Sequence, residues 1–368
     1  MRILIIGAGI AGLAMARALH QHGLASEIVE RDDAWRVAGA GVFLPGNGIA
    51  ALDRLGLGAP VRERGAVVAR RRLFDERGRS FIDFDEAGLW RDVAPPIALH
   101  RRELHAILAE GAAATQVRFG AHVTALERTQ DGVRATYASG TTSDHDLVIG
   151  ADGVHSWVRT TVVGAPAPRL VGQLGWRFVV EGRPEMDGWN GYLGPNRAFL
   201  ALAIGGGRVY CYAELRSTDA LDPTDGDPTR LRPMFQGFVE PVPSLLDAMP
   251  AADIWFAAVE EVTPTWRHDR VLLVGDAAHA SSPNMAEGAS LAIEDAIVLA
   301  EELASRPGID AALGAFVARR QPRVTHVQQT THRRDRLRYA PVMVRRIAMR
   351  VAGDHLFRAH YRRLLMPP

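Results

Sequence analysis

The start of the chain carries the pattern that most restricts the fold. The apolar, β-rich run RILIIG leads into Gly7, Gly9 and Gly12, which have the spacing G-x-G-x-x-G. Residues 13–22 then follow a helical pattern, and a second strand-like run, ASEIVE, ends at Glu30. A strand, a glycine turn, a helix and a second strand with a terminal acid together predict a βαβ unit of the doubly wound α/β class.

Each glycine of such a unit has its own steric role. Gly7 permits the tight turn, Gly9 lets a pyrophosphate approach the backbone, and Gly12 lets the helix pack on the strand. The N-terminus of the helix favours an anion, and Glu30 is placed to accept hydrogen bonds from an adenosine ribose. An ordinary βα turn is the alternative, but the complete context favours a dinucleotide site for either NAD or FAD.

Composition excludes several other classes of protein. The chain has 368 residues, of which 47% are hydrophobic, and a net charge of +1. This length predicts about two domains with a sizeable core, and the charge gives no reason to expect nucleic acid as a partner. The lone Cys211 cannot form an internal disulfide, and no apolar run approaches the ~20 residues of a membrane helix. We therefore expect a cytoplasmic protein. The chain also has no lysine, which excludes any chemistry that needs a lysine amine.

The middle of the FAD- or NAD-binding part departs from a simple βαβ repeat. Residues 116–151 alternate apolar and polar side chains and are interrupted by Asp131-Gly132 and Ser139-Gly140. This pattern predicts a meander of strands inserted into a parallel fold. A plain NAD dehydrogenase would continue with further βαβ units, so the meander favours FAD.

Two later motifs complete the pattern. Asp152-Gly153 with Ser156 and Arg159 gives D-G-x-x-S-x-V-R, and RVLLVGDAAHASSPNMAEGASLAIEDA contains Gly275-Asp276. In this order the three motifs resemble the FAD-dependent aromatic hydroxylases, single-component flavoprotein monooxygenases of the p-hydroxybenzoate hydroxylase type. The resemblance spans residue 5 to about residue 320. It implies a Rossmann-like FAD-binding domain of the α/β class with an interleaved, mostly antiparallel substrate domain, and non-covalent FAD.

The resemblance also assigns roles around the flavin. Asp276 corresponds to the aspartate that binds the ribityl chain, and Pro283 lies close to the flavin ring in the family. A helix predicted over residues 286–304 brings Gly288 and Ala289 to the pyrimidine edge of the flavin. Glu287 departs from the usual G-Q-G at that helix start, and it puts a negative side chain near a site that should favour an anion. Further cofactor contacts implied by the resemblance are Arg31, Arg101, Val123, Asp152, Arg159 and Gly275.

Several of these assignments have a structural alternative. Arg101 precedes a helix and is either an FAD contact or a surface arginine. Arg159 could touch the pyrophosphate, touch an incoming nicotinamide, or pair with a nearby acid. Asp152 is expected to be a turn and cofactor-side carboxylate, and His279 to order its loop. The segment GAGVFLPGNGIAALDRLGL, which starts at Gly39, resembles one that lines the flavin.

Residues 171–262 predict a mostly antiparallel sheet that covers the flavin. Its strands carry the following aromatic and cationic side chains: Trp176, Arg177, Tyr192, Arg197, Phe199, Tyr210 and Tyr212. About half of them should face away from the cofactor, because side chains alternate along a strand. Urate-type hydroxylases place an arginine and a tyrosine at about the positions of Arg197 and Tyr210. These two residues are therefore our candidates for substrate contact, with a sheet-surface position as the alternative.

The expected domain organisation is discontinuous. The FAD-binding domain takes residues 1–75, 101–170 and 263–330, and the substrate domain takes residues 76–100 and 171–262. The remaining 331–368 form a basic helical segment with ten arginines against two aspartates. Its run VMVRRIAMRV predicts an amphipathic helix that either packs on the FAD domain or binds an anionic membrane. We favour packing, because the apolar face is short.

The resemblance implies a concrete reaction. NADH or NADPH reduces FAD, O2 adds at flavin C4a to give a hydroperoxide, and a small aromatic or heteroaromatic substrate is hydroxylated. The absence of a second G-x-G-x-x-G fits a family without a nicotinamide domain. No metal is expected, and the oligomer is a monomer or homodimer. The alternatives are an FAD-dependent reductase, dehydrogenase or epoxidase of an isoprenoid or polyketide, or a non-catalytic redox sensor. A flavin-dependent halogenase is disfavoured, because its mechanism uses a lysine and this chain has none.

Overall fold

The computed structural model describes residues 1–36, 40–183, 185–216, 224–338, 340 and 342–368. In chain order the strands are β1 Ile3–Ile6, β2 Ser26–Val29, β3 Gly41–Leu44, β4 Ala66–Val67, β5 Arg70–Asp75, β6 Ser80–Asp85, β7 Ile97–His100, β8 Gln116–Arg118, β9 Val123–Arg128, β10 Val133–Tyr137, β11 Thr142–His145, β12 Leu147–Gly150, β13 Arg169–Val180, β14 Trp189–Gly194, β15 Arg197–Ala203, β16 Val209–Arg216, β17 Trp255–Glu261, β18 Arg267–His268 and β19 Val271–Leu273. The helices are α1 Ile10–Gln21, α2 Gly46–Arg54, α3 Gly58–Arg64, α4 Glu86–Leu89, α5 Arg101–Gly111, α6 Leu231–Met234, α7 Val242–Asp247, α8 Asp276–His279, α9 Gly288–Ser305, α10 Ile309–Arg338 and α11 Val342–Tyr361.

The predicted βαβ unit lies in a sheet with the strand order β18-β19-β12-β1-β2-β8, called here the parallel sheet. Neighbouring strands in this sheet run parallel, except that β18 pairs with β19 in the antiparallel direction. β1, β12 and β19 consist of aliphatic residues that are buried on both faces of the sheet, as expected for strands covered on both sides. α1 starts at Ile10, somewhat earlier than predicted, and packs against α9.

The predicted meander is also present. β9, β10 and β11 form a small antiparallel sheet, and β8 and β12 on either side of them in sequence join the parallel sheet. The insertion into a parallel fold is therefore confirmed, as is the fold class. A further small sheet has the order β3-β7-β4.

The remaining strands form a large sheet with the order β17-β13-β16-β15-β14-β5-β6. It is antiparallel throughout except between β14 and β5. The first strand of this sheet begins at Arg70, so the sheet starts before the predicted boundary at residue 76, and Ile97–His100 lies outside it. One face of the sheet packs on α6 and α7 through a core that contains Phe178, Phe199 and Phe235.

The basic C-terminal segment is helical and packs against both the large sheet and the FAD-binding domain. α10 runs past residue 331 without a break, and α11 packs mainly on β6 of the large sheet. Its end also contacts the FAD-binding domain, because the Tyr361 hydroxyl donates to the Met285 carbonyl and His326 Nε2 donates to the His360 carbonyl. The contact with β6 is close, because a Cβ atom at Gly353 would lie 2.7 Å from Ile82 Cδ1. The side chains of Arg345, Arg346 and Arg350, which suggested an amphipathic face, lie outside the described residues. Among the described helices, none is both long and apolar enough to cross a membrane.

Candidate active site

A cavity of about 640 Å³ lies between the parallel sheet and the large sheet. The loops after β1, β12 and β19 form its floor, since the carboxyl ends of these parallel strands meet there. The face of the large sheet that does not contact α6 and α7 forms the roof. The end of α10 and part of α11 close one side.

The glycine turn after β1 has the geometry that a pyrophosphate requires. Gly7 has φ +107°, and a Cβ there would lie 2.5 Å from the Ala151 carbonyl oxygen. A Cβ at Gly12 would lie 1.9 Å from the Gly7 carbonyl oxygen, so α1 and β1 touch there. Gly9 lines the cavity, and a Cβ there would meet nothing within 4 Å. The turn thus leaves open backbone beside the N-terminus of α1, which fits a phosphate group.

Glu30 follows β2 and is held beside this turn. Its carboxylate accepts hydrogen bonds from the backbone N–H of Ala8 at 2.9 Å and of Asp32 at 3.1 Å. Arg101 is the first residue of α5, is exposed and lines the cavity. Arg31 is exposed and Val123 is buried in the core, and neither lines the cavity. Contacts from these last two residues to a cofactor stay predictions.

The Gly275-Asp276 motif begins directly after β19. Gly275 has φ +58°, and a Cβ there would lie 2.9 Å from Ala11 Cβ, so glycine is required on two counts. Asp276 is exposed to the cavity, and its carboxylate has no hydrogen-bond partner within the described part of the chain. Pro283, Gly288 and Ala289 line the same wall. The motif therefore offers a free carboxylate for hydroxyl groups of a ligand.

A buried network holds this loop in place. Asp295 accepts hydrogen bonds from Gly275 N–H at 2.9 Å, His279 Nε2 at 2.8 Å and Arg320 Nε at 2.7 Å. Burial acts to raise the pKa of Asp295, but His279 and Arg320 outweigh it and lower that pKa. The ring of His279 is buried and points to Asp295. His279 thus orders the loop and does not face the cavity.

Arg159 does not reach the cavity, which corrects the assignment as a cofactor contact. Its side chain is fully buried and donates hydrogen bonds to the carbonyls of Val154 at 2.6 Å, Ala277 at 3.1 Å and Pro166 at 3.3 Å. Burial lowers the pKa of this guanidinium. Asp152 accepts from Val158 N–H at 3.1 Å. Arg159 therefore ties the Asp152-Gly153 loop to the loop that follows Asp276.

Glu287, the departure from the G-Q-G pattern, turns away from the cavity. Asn47 Nδ2 donates hydrogen bonds to Glu287 Oε2 and to Glu294 Oε1, each at 2.9 Å. Burial, with a further contribution from the Glu294 carboxylate, raises the pKa of Glu287 to about 8. The side chain is therefore neutral at pH 7, and it does not oppose an anion at the N-terminus of α9.

Strand register decides which side chains of the large sheet reach the cavity. Arg177 pairs with Tyr212, and Tyr210 pairs with Leu202, and all four residues line the cavity. Arg197 is paired with Leu215 and belongs to the opposite face, because side chains alternate along a strand. Its guanidinium donates to the Met234 carbonyl and lies 5.4 Å from the Phe238 ring centroid. The assignment of Arg197 to the substrate site is therefore wrong.

Arg177 takes the cationic position that we had expected for Arg197. Its guanidinium lies 4.8 Å from the Tyr212 ring centroid, and its positive charge acts to lower the pKa of Tyr210 against the larger effect of burial. Burial raises the pKa values of both tyrosines, so their hydroxyls stay protonated. Glycines make room for the rings, since a Cβ at Gly41 or Gly175 would lie 2.4 Å from Tyr210 or Tyr212. No local signal in the sequence distinguishes Arg177 from Arg197, because the face of each side chain depends on how β13, β15 and β16 pair.

Comparison with known proteins decides the family. Residues 1–331 match the family described as FAD binding domain. The aurachin C monooxygenase/isomerase of Stigmatella aurantiaca is 32% identical over 329 residues, which cover 88% of this chain and 86% of that protein. The FAD-dependent urate hydroxylase of Klebsiella pneumoniae is 31% identical over 334 residues, which cover 88% of this chain and 87% of that protein. The chain belongs to the FAD-dependent aromatic hydroxylases.

The fold agrees with this family. The crystal structure of Klebsiella pneumoniae HpxO in complex with FAD and uric acid superposes with a TM-score of 0.86 at 28% identity. The match covers 99% of this chain and 92% of that one. As a flavoprotein monooxygenase, this aromatic hydroxylase uses FAD, and the open glycine turn and the free Asp276 carboxylate fit that cofactor.

Proposed function

We propose that this hydroxylase is an NAD(P)H- and O2-dependent monooxygenase that hydroxylates a small aromatic or heteroaromatic compound. The observation that carries the proposal is that one cavity joins two sets of groups. Its floor presents Asp276 and the start of α9, and its roof presents Arg177, Tyr210 and Tyr212. A flat cofactor and a flat substrate can therefore lie against each other between them.

The floor residues would hold FAD without a covalent bond. The N-terminus of α1 at Gly9 binds the pyrophosphate, Glu30 the ribose, and Asp276 the ribityl hydroxyls. The first N–H groups of α9, at Gly288 and Ala289, favour negative charge at the pyrimidine edge of the flavin. When bound, the flavin accepts a hydride from NADH or NADPH and, once reduced, activates O2 for transfer to the substrate.

The roof residues would bind and orient the substrate. The positive charge of Arg177 favours an oxygen anion on the ring, such as a phenolate or enolate, and the tyrosine hydroxyls donate hydrogen bonds to it. An anionic oxygen makes the ring electron-rich, which is what oxygen transfer to an aromatic carbon requires. Pro283 bounds the space beside the ring from the floor.

The walls of the cavity would keep water from the reaction. α10 and α11 close one side, and the apolar residues of the large sheet cover the middle. Exclusion of water matters because water promotes loss of activated oxygen as hydrogen peroxide. The nicotinamide cofactor docks transiently, in keeping with the single G-x-G-x-x-G of the chain. The expected oligomeric state is a monomer or a homodimer.

The test uses the purified yellow protein with NADH or NADPH and a panel of phenols, hydroxybenzoates, N-heterocycles and polyketides. We expect at least one compound to accelerate flavin reduction by about tenfold or more. Isotope-labelled O2 should then place one oxygen atom in the product. A product without the label would indicate a reductase or dehydrogenase, and the absence of any substrate-dependent turnover would indicate a redox sensor.

A further inference from the structure

One register row crosses the roof of the cavity, with one side chain from each strand. In the paired order β13, β16, β15, β14, β5 and β6, its members are Arg177, Tyr212, Leu200, Gly191, Leu73 and Ile82. All of them line the cavity. Because neighbouring strands lie about 4.8 Å apart, the row extends for about 24 Å. Its polarity changes along its length.

The first end of the row is polar and incompletely satisfied. The Tyr212 hydroxyl is buried and has no hydrogen-bond partner within the described part of the chain. Since burial raises the pKa of Tyr212, this group is an O–H donor that lacks an acceptor. A buried donor without an acceptor is costly. Beside it lies the Arg177 guanidinium, and the nearby Glu214 carboxylate is already paired with Arg338 at 3.1 Å, so this end of the row fits an oxygen atom that carries negative charge.

The other end of the row is apolar. A Cβ at Gly191 would lie 2.7 Å from Leu73 Cδ2 and from the Trp189 ring, so these side chains lean into the space above Gly191. Beyond them, Ile82 lies under α11. That helix contributes Met349, Leu356 and Phe357 to the same part of the cavity wall.

Arg71, a buried cation near the apolar end, already has its partners. Arg71 donates to Glu86 Oε2 at 2.8 Å, and its guanidinium lies 5.2 Å from the Phe43 ring, 4.9 Å from the Trp189 ring and 5.6 Å from the Phe357 ring. This charge is balanced by Glu86 and covered by aromatic faces. It therefore leaves the apolar character of this end of the row intact.

We propose that the substrate is an amphiphilic aromatic compound that lies along this row. Its ring carries an acidic phenolic or enolic hydroxyl, which binds Arg177 and Tyr212. An aliphatic substituent extends past Leu200 and Gly191 to the space between Leu73, Ile82 and α11. From Tyr212 to Leu73 the row crosses three strand spacings, about 14 Å, so the substituent needs several carbon atoms. The proposal names the substrate class of the proposed function and rests on it for the reaction, but binding is tested separately.

The test measures binding to the oxidised FAD-loaded protein through the change in flavin absorbance, without NAD(P)H. The probes are 4-methylphenol, 4-butylphenol, 4-heptylphenol and 4-hydroxybenzoate. We expect the Kd to fall by about two- to fourfold for each added methylene, since each one leaves water. 4-Hydroxybenzoate should bind more weakly than 4-heptylphenol, because its carboxylate would face the apolar end of the row. A Kd that does not depend on chain length, the absence of binding, or tighter binding of the acid would overturn the proposal.

Variants then separate the two ends of the row. Tyr212→Phe should weaken all the alkylphenols by a similar factor of about ten and leave the dependence on chain length unchanged. Leu356→Gln should make the Kd depend less on alkyl chain length and leave the Kd of 4-methylphenol unchanged. Met349→Gln is a second variant with the same expected result. The control Ala359→Gln, at an exposed position of the same helix, should change neither the chain-length dependence nor the Kd of 4-methylphenol. A chain-length effect that survives both Gln variants would contradict the assignment of this end.

This design distinguishes the two proposals. If the alkylphenols bind as expected but no compound is hydroxylated, the proposed function fails and the binding row stands. If an unrelated polar compound is hydroxylated and the alkylphenols do not bind, the row assignment fails and the monooxygenase stands.

Discussion

The floor and the roof of the cavity differ in how their functional groups are encoded. On the floor, Gly7, Gly9 and Asp276 lie at the ends of single strands, and their spacing along the chain places them. On the roof, Arg177 and Tyr212 come from different strands, and only the pairing of those strands brings them together. A shift by one residue sends a strand side chain to the opposite face. Sequence motifs therefore locate a cofactor site more readily than a substrate site.

The largest effect is expected on the floor. Asp276→Ala should remove most bound FAD or most turnover, because the carboxylate is the free acceptor that faces the cavity. Hydrogen bonds to a charged group are worth about 1.5–3 kcal/mol each, so we expect the Kd for FAD to rise by roughly tenfold to a hundredfold. The measurement is the flavin content of the purified protein and a titration with FAD.

The control for this variant is Asp92→Ala, at an exposed position away from the cavity. It should keep the flavin content of the parent. Equal flavin content and equal rates for Asp276→Ala and the parent would show that this carboxylate does not bind the cofactor.

A smaller effect is expected on the roof, where two arginines of the large sheet can be compared directly. Arg177→Ala should lower kcat/KM for a hydroxylated substrate by about tenfold to a hundredfold, since it removes a charged hydrogen-bond donor. Arg197→Ala should leave kcat/KM within about twofold. Tyr210→Phe should lower substrate-stimulated flavin reduction, because it removes a hydroxyl donor from the cavity wall. Flavin content should be normal in all three variants.

The opposite ranking of the two arginines would contradict the strand register that places Arg177 in the cavity and Arg197 on the other face. If Arg197→Ala impaired hydroxylation more than Arg177→Ala did, the register of β15 and β16 in solution would differ from that described here. Steady-state rates with both variants, with FAD loading measured in parallel, decide the matter.

Local sequence patterns determine some features of this molecule, and long-range pairing determines the others. The βαβ unit, the inserted meander and the fold class could be predicted, because local patterns determine them. The choice between Arg177 and Arg197 could not, because it depends on the register of β13, β15 and β16. The role of α11 as a cavity wall depends on a long-range contact between Gly353 and Ile82, which no local pattern records. The inward turn of Glu287 similarly depends on Asn47, which is 240 positions away in the sequence.

The smallest effect concerns the buried acids behind the floor. Glu287 and Glu294 share the Asn47 side chain, and Arg320 and Arg323 lie on the other side of Glu294. Burial acts to raise the pKa of Glu294, but the two arginines outweigh it and lower that pKa. Arg323 and Arg71 act on Glu287 too, but burial outweighs them and raises the pKa of Glu287 to about 8. Of the two acids, Glu287 is therefore the one that holds a proton.

This proton makes the stability of the fold depend on pH in a defined direction. Between the ordinary value of 4.5 and the folded value of about 8, the folded state keeps a proton that the unfolded chain has released. The stabilisation from Glu287 is thus complete below the lower pKa and is lost as the pH rises through the upper one. Glu287→Gln keeps the acceptor for Asn47 but cannot ionise. Between about pH 5.5 and about pH 8.5 the Tm of the parent should fall, and the Tm of Glu287→Gln should fall by roughly 2–5 °C less. The measurement is thermal unfolding of the FAD-loaded protein at each pH. The control Glu63→Gln, at an exposed position, should show the same pH dependence of Tm as the parent. If Glu287→Gln also showed the parent's pH dependence, Glu287 would be ionised in the folded protein, and its negative charge would lie at the N-terminus of α9.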